Sequence, residues 1–308
     1  MAIWHKNPSI AYLAVMAGVV GHASSEFVAK ISGVGGPELS VWRFLLGGIG
    51  LVVIALLLPQ SRNLLAPFRT HGVRLVLLSF MGVTVGYLLF HWSLDFASVP
   101  QVATMVTTIP ILVGLANLAI NKQPFSTAKI ISGVAAVMGV ALLITDGYLA
   151  KLAGTGQALV GVLMAFGCAA TIAVYMVLVK PIIAEYGAMR ITAITMFLGA
   201  IGLWILVGLF WGLWVDPLTL AGRPTGQLGA LLTLSLYNTT ITQFLWIGGL
   251  AAVPDITRGS YLFFLKPVIA AALAVWFLES RLTAWQFLAI AVICAAVLLE
   301  VVLSRKPR

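Results

Sequence analysis

The sequence predicts an all-α integral membrane protein, with ten transmembrane helices arranged as two inverted five-helix repeats. Three observations predict it. Of 308 residues, 61% are hydrophobic and 9% charged, against about 25% charged in an ordinary soluble domain. Apolar runs of about 20 residues, enough to cross roughly 30 Å of hydrocarbon, recur along the whole chain. When the chain is slid against itself by 157 residues, Pro110 falls on Pro267. So few ionic groups cannot cover a water-facing surface, which excludes a soluble enzyme, a nucleic-acid module and a disordered chain.

The runs are 9–31, 39–58, 72–94, 98–120, 127–146, 157–179, 188–213, 226–248, 255–278 and 283–303. The first follows Lys6 and looks at its start like a signal peptide. It continues through Phe27 and Val28, beyond the length of such a segment. Gly35-Gly36-Pro37 separates the first run from the second, and Pro59 to Arg74 the second from the third. Asn121 to Pro124 parts the fourth from the fifth. Asp216-Pro217 and Arg223-Pro224 divide the seventh from the eighth, and Glu279 to Arg281 the ninth from the tenth. Glycine, proline and charge all mark places where the chain leaves the hydrocarbon.

With ten spans the two termini share a side. Most of the 18 Lys and Arg residues fall there, among them Lys6, Arg62, Arg69, Arg74, Lys122, Lys129, Arg190, Arg305 and Arg308. Positive charge is retained on the cytoplasmic side, so both termini are predicted cytoplasmic, in a plasma (inner) membrane. Cys168 and Cys294 lie inside apolar runs and suit neither a disulfide nor a metal.

The repeat divides the chain into 1–150 and 151–308. Beyond the prolines, Ser126 falls on Thr283 and Val140-Ala141-Leu142 on Val297-Leu298-Leu299, while Gly21 meets Gly167 at a different spacing. Five spans per half is an odd number, so the second half is expected upside down. Secondary transporters are commonly built so, with the substrate site at the repeat interface near the midplane. Pro110 and Pro267 sit in matching spans and remove a backbone hydrogen bond each, which makes them candidate hinges.

A mid-helix proline, a short turn and a further helix rich in small residues are used twice. The first copy runs Ile109-Pro110-Ile111 through Gln123-Pro124-Phe125-Ser126 to Gly139-Val140-Ala141. The second runs Lys266-Pro267-Val268 through Arg281-Leu282-Thr283 to Val297-Leu298-Leu299. This pattern resembles the EamA-type drug/metabolite transporter superfamily over nearly the whole chain, most of all bacterial exporters of aromatic amino acids and similar metabolites. The turn departs from the family's usual Gly-Glu, reading Lys122-Gln123 and Glu279-Ser280. The resemblance implies export of amino acids or similar amphipathic metabolites by alternating access, without a cofactor.

Ionisable side chains inside a membrane are costly and therefore candidates for function. Lys266 lies mid-span, directly before Pro267. It is expected either to line a central cavity and meet a carboxylate or phosphate, or to cap carbonyls freed by the proline, or to pair with Glu26. His22, Glu26 and Lys30 follow one helical face; Tyr87, His91 and Asp95 repeat that spacing. The eighth span concentrates Tyr237, Asn238, Thr239, Thr240, Thr242, Gln243 and Trp246, so one of its faces is expected to meet water or substrate. Arg258 and Tyr261 lie one turn apart as a gate or a headgroup anchor. Mid-span aromatic residues beside polar groups suit an amphipathic solute.

The chain contains no His-Glu-x-x-His, Gly-x-Ser-x-Gly or P-loop motif. No catalytic or metal site is therefore expected. A carrier of phosphorylated or nucleotide-linked metabolites and a channel-like facilitator remain the alternatives. The partners expected are membrane lipid and a small-molecule substrate, not nucleic acid, and a monomer is compatible with this reading.

Overall fold

The structure, a computed structural model, describes residues 7–97, 99–124, 126–145, 156–278 and 282–303. Lys6, Phe125, Glu279, Ser280, Arg281, Arg305 and Arg308 lie outside the described residues, as do the side chains of Glu26, Lys30 and Leu299.

α1 (Pro8–Ile31) and α2 (Gly36–Leu57) are followed by α3 (Phe68–Ser79) and α4 (Gly86–Ser93), which a π-helical stretch, Phe80–Val85, joins into one rod. α5 (Val99–Val106) and α6 (Ile109–Asn121) form a rod interrupted at Thr107–Thr108, and α7 (Thr127–Thr145) completes the first half. The second half begins with α8 (Gly156–Tyr186) and α9 (Ala188–Trp211). α10 (Thr225–Leu232) and α11 (Thr242–Ala252) are joined through a second π stretch, Thr233–Ile241. α12 (Ile256–Ser260), a 3₁₀ turn Tyr261–Leu265 and α13 (Lys266–Leu278) make another rod, followed by α14 (Ala284–Leu303). Seven of these rods, among the described residues, are long and apolar enough to cross a membrane.

Local chemistry sets the breaks. Asn7 caps α1 by accepting from the Ser9 amide at 2.9 Å, with Pro8 as the first helical residue. Gly187, at φ 91°, turns α8 into α9 where a side chain would be strained. Pro110 and Pro267 each stand second in a helix, α6 and α13, just after an interruption. In a first turn the missing N–H has no intrahelical partner to lose. The prolines thus restart helices rather than bend continuous ones.

Membrane helices gain little from burying apolar surface against one another, so close backbone approach at small residues holds them together. α2 and α9 pack antiparallel: Gly48 rests on Phe197, while Arg190 at the start of α9 donates to the Gln60 and Ser61 carbonyls just past the end of α2. On α2, Gly47 meets Thr239 and Gly50 meets Thr240; on α9, Gly199 meets Val83 and Gly202 meets Thr84. Thr240 Oγ1 donates to the Gly47 carbonyl at 2.8 Å, and Thr84 Oγ1 to the Gly199 carbonyl at 2.8 Å. Both threonines lie in π stretches.

The remaining contacts repeat this exchange. α1 crosses α11 with Gly18 against Trp246 and Gly21 against Thr242, and α8 crosses the α3–α4 rod with Tyr175 against Gly82. α7 and α14 pair with each other at Gly139 and Ile293. Leu57, Val73, Phe210 and Trp276 are exposed around the outside, an apolar belt suited to lipid.

A valine at position 47 would place its Cβ 2.6 to 2.7 Å from the Thr239 side chain. Gly47→Val is expected to cost about 1–3 kcal/mol of stability, read as a lower Tm in detergent. Gly222→Ala, with nothing within 4 Å of the added carbon, should leave Tm within about 2 °C. Equal behaviour of the two variants would contradict the packing described.

Candidate functional site

One cavity lies where both halves meet, and equivalent positions face each other across it. Three residues beyond Thr84 and Thr240 stand Tyr87 and Gln243, and three further on are Phe90 and Trp246. Phe90 and Trp246 line the cavity from opposite halves, as do Val106 with Phe263, and Ile109 with Lys266. The last two pairs hold the same places relative to Pro110 and Pro267. His22 and Cys168, each following one of the matched glycines Gly21 and Gly167, also line it. The pair Tyr87 and Gln243 is bonded directly: Gln243 Nε2 donates to Tyr87 Oη at 2.6 Å.

The chemistry on this symmetric frame is lopsided. Lys266 is 9% exposed and lines the cavity opposite an isoleucine position, its amine 5.7 Å from the Phe263 ring centroid. Arg43, on α2, lines it too and is 4% exposed. Its Nε donates to Thr239 Oγ1 at 3.0 Å and its Nη2 to the Asn238 carbonyl at 3.3 Å, both in the second π stretch. A π turn carries its hydrogen bonds one residue further along than an α turn, and here the guanidinium takes up a carbonyl within it. The equivalent of Arg43 on α9 is Thr195, which pairs with Tyr175 Oη at 2.8 Å.

Aromatic rings close the walls. His22 stands edge-on to Trp246, with centroids 5.7 Å apart, and to Phe263 at 5.8 Å. His22 is 8% exposed, and its Nε2 has no hydrogen-bond partner among the described residues. The volume open to water is about 40 Å³, room for about three waters. A larger solute requires the helices to part.

Of the residues singled out from the sequence, Lys266, His22, Tyr87 and Trp246 line this cavity. The Glu26 side chain lies outside the described residues; its backbone is one turn beyond His22 on α1. The others stand elsewhere. His91 is buried outside the cavity, its Nδ1 2.5 Å from Ser40 Oγ and 3.1 Å from the Tyr87 carbonyl, tying α2 to α4. Asn238 Nδ2 donates to the Gly21 carbonyl at 2.7 Å and to Ser24 Oγ at 2.8 Å, tying α1 to the π stretch. Tyr237 is 40% exposed and faces away. Gln243 reaches the cavity only through Tyr87. Asp95 is exposed beyond α4, and partial burial raises its carboxyl pKa above the ordinary value.

Tyr261 and Arg258 lie towards the end where α7 and α12 begin. There Lys129 pairs with Asp255, Tyr261 Oη donates to the Lys129 carbonyl, and Lys180 Nζ donates to the Val253 carbonyl at 2.8 Å. Asp255 also caps α12, accepting from the Thr257 and Arg258 amides. At the opposite end, where α2 begins, Arg223 pairs with Glu38 at 3.2 Å and its guanidinium lies 4.8 Å over the Trp42 ring. Polar ties therefore bridge helices of both halves on either side of the cavity. Sequence reading missed Arg43, which lies within the second apolar run close to its start, where a cation reads as a headgroup anchor.

A family model described as the EamA-like transporter family matches residues 9–145 and 159–302. Two proteins of Bacillus subtilis (strain 168) are similar. "Uncharacterized transporter YyaM" is 24% identical over 230 residues, covering 75% of this chain and 73% of that one. "Uncharacterized transporter YwfM" is 29% identical over 221 residues, covering 70% and 69%. A solved structure named only as "Crystal structure of protein" matches with a TM-score of 0.79 at 17% identity, over 96% of this chain and 98% of that one. That likeness shows the fold.

Tyr87→Phe should leave the buried Gln243 amide without its acceptor and cost about 1–3 kcal/mol. Adding Gln243→Leu should recover part of that loss, giving a non-additive double-mutant cycle in detergent unfolding. Strict additivity would sink the pairing.

Proposed function

The chain belongs to the EamA-like transporter family, and on that premise we propose that it is a secondary exporter of amino acids or similar amphipathic metabolites, aromatic ones included. It is an integral membrane protein whose family transports solutes. The proposal adds ten spans, two inverted repeats at 1–150 and 151–308, and alternating access between two sides. The antiparallel packing of α2 on α9, which are matched elements, supports the inversion.

The observation that carries the reading is the cavity itself, lined by matched residues from both halves and tied shut by different polar groups at its two ends. Opening one set of ties while the other holds gives alternate exposure without a continuous pore. In this reading Lys266, His22, Tyr87 and Trp246 contact substrate, and Glu26 is the candidate partner of a substrate amine. Pro110 and Pro267 serve as hinges where each rod is already interrupted. Tyr261 and Arg258, with Lys129 and Asp255, form the gate on the side of the termini, read as cytoplasmic from the loop charges.

Proteoliposomes preloaded with unlabelled phenylalanine should take up labelled phenylalanine faster than empty ones, and the uptake should saturate. Flux that neither saturates nor responds to preloading would favour a channel and reject the exporter. Trp246→Ala is expected to raise the KM for this exchange about tenfold, by removing a stacking wall. A reporter active only outside the cytoplasm, fused after Arg308, should stay silent.

A further inference from the structure

We infer that the groove between α3 and α8 binds an anionic phospholipid, its phosphodiester held by Arg69 and Arg74 and an acyl chain laid along Leu77 and Met81. The groove lies apart from the central cavity. It is lined by the start of α3, by Leu77, Leu78 and Met81 further along that rod, and by Leu178 of α8, and its volume is about 780 Å³. Ordinary ligand sites span roughly 300–1,000 Å³, whereas the central cavity offers about 40 Å³.

The local sequence builds this groove. His71 leaves the helical conformation at φ −124°, ψ 18°, which breaks α3 near its start. Side chains fasten the break to the end of α8. His71 Nε2 lies 3.0 Å from Glu185 Oε2, and Thr70 Oγ1 lies 2.8 Å from Tyr186 Oη. One turn further on, Arg74 Nη2 donates to the Leu178 carbonyl at 3.0 Å. These ties hold the mouth of the groove, and apolar side chains line it beyond them.

Charge and depth name the occupant. Arg69, His71 and Arg74 line the groove, and the carboxylate at its mouth, Glu185, is bonded to His71. A guanidinium carries five N–H donors in a planar fork suited to phosphate. The bond to Leu178 takes one of those on Arg74, and Arg69 is exposed. Met81 stands seven residues beyond Arg74, so the lining passes from cationic to apolar over about 10 Å of the rod. That rod, Phe68–Ser93, is long and apolar enough to cross a membrane, which puts the arginines near the headgroups and Met81 in the hydrocarbon. Val73 and Leu77, both in the lining, are exposed, so the groove opens towards lipid. A phosphodiester joined to acyl chains meets both parts. A free phosphate leaves the apolar part uncovered, and a soluble partner does not reach it. Basic pockets between membrane helices favour anionic headgroups; a zwitterionic lipid brings another cation close to two arginines.

The test measures Tm of the full chain in detergent with equal concentrations of dioleoyl phosphatidylglycerol, dioleoyl phosphatidylcholine or inorganic phosphate. Phosphatidylglycerol should raise Tm by about 4 °C or more, at least about twice the shift from phosphatidylcholine, because a ligand stabilises the state that binds it. Arg69→Gln and Arg74→Gln should each remove at least about half of that shift. Arg62→Gln, which removes an exposed charge from the preceding loop outside the groove, should keep it. Equal shifts with the two lipids, or none with either, overturn the anionic headgroup. A shift as large with inorganic phosphate replaces the lipid by a free anion and overturns it likewise. A phosphatidylglycerol shift unaltered in both groove variants, or lost equally in Arg62→Gln, puts the lipid elsewhere and overturns the site. If Arg74→Gln does not fold, the exposed Arg69→Gln and the wild-type series still decide.

Discussion

Two hydrogen bonds organise the molecule: Thr240 to the Gly47 carbonyl and Thr84 to the Gly199 carbonyl, each 2.8 Å long. They are the same bond made twice, once in each direction between the halves. Each needs a glycine that lets the backbone come close and a helix whose turn is widened locally. The π stretches Phe80–Val85 and Thr233–Ile241 supply the second condition. Everything nearer the centre follows from those crossings. Tyr87 and Gln243 arrive within bonding distance because they lie one turn further along the same rods, and Phe90 and Trp246 face the cavity one turn beyond that. Arg43 is held because the second widened turn offers it both a hydroxyl and a carbonyl.

Much of this was legible in the amino-acid sequence, and the residues show why the remainder was not. Hydropathy locates helices well because lipid tolerates little else across its core. The proline pair was visible because Pro110 and Pro267 fall on one spacing. That spacing fails further forward: it grows along the chain from the pair His22 and Cys168 to the pair Pro110 and Pro267, because the connecting loops differ in length. A single slide therefore hides the glycine and threonine matches, which carry the architecture. Lys266 was recognisable since a charge at mid-span is costly and calls for a cavity or a partner. Arg43 was not, because a cation near the end of an apolar run reads as a headgroup anchor. The polar cluster of the eighth span divides between faces, with Trp246 lining the cavity. Asn238 serves helix contacts, and Tyr237 faces outward on the same rod; one-dimensional spacing cannot say which face of a π-widened helix turns inward.

Symmetry and chemistry are divided in an unequal way. The frame is duplicated, down to matched hydrogen bonds, while Arg43 and Lys266 are matched by neutral Thr195 and Ile109. Under the proposed alternating access, such a frame would open to either side by equivalent movements while presenting one set of contacts to its occupant. The ties at the two ends are likewise different in kind: Lys129 with Asp255 caps a helix as well as pairing, whereas Arg223 with Glu38 stacks on Trp42. In that scheme, ties of different kind would give the two openings different salt dependence.

The bond between Tyr87 and Gln243 joins two matched positions. Under the proposed alternating access, each half takes up the shape its counterpart has just left. A contact between unmatched positions, such as Arg223 with Glu38, then has to break and be replaced by a different one. A contact between matched positions is carried onto itself. Gln243 and Tyr87 exchange places in the scheme and remain partners, so their bond is a fulcrum, the point about which the halves trade roles without losing hold of each other.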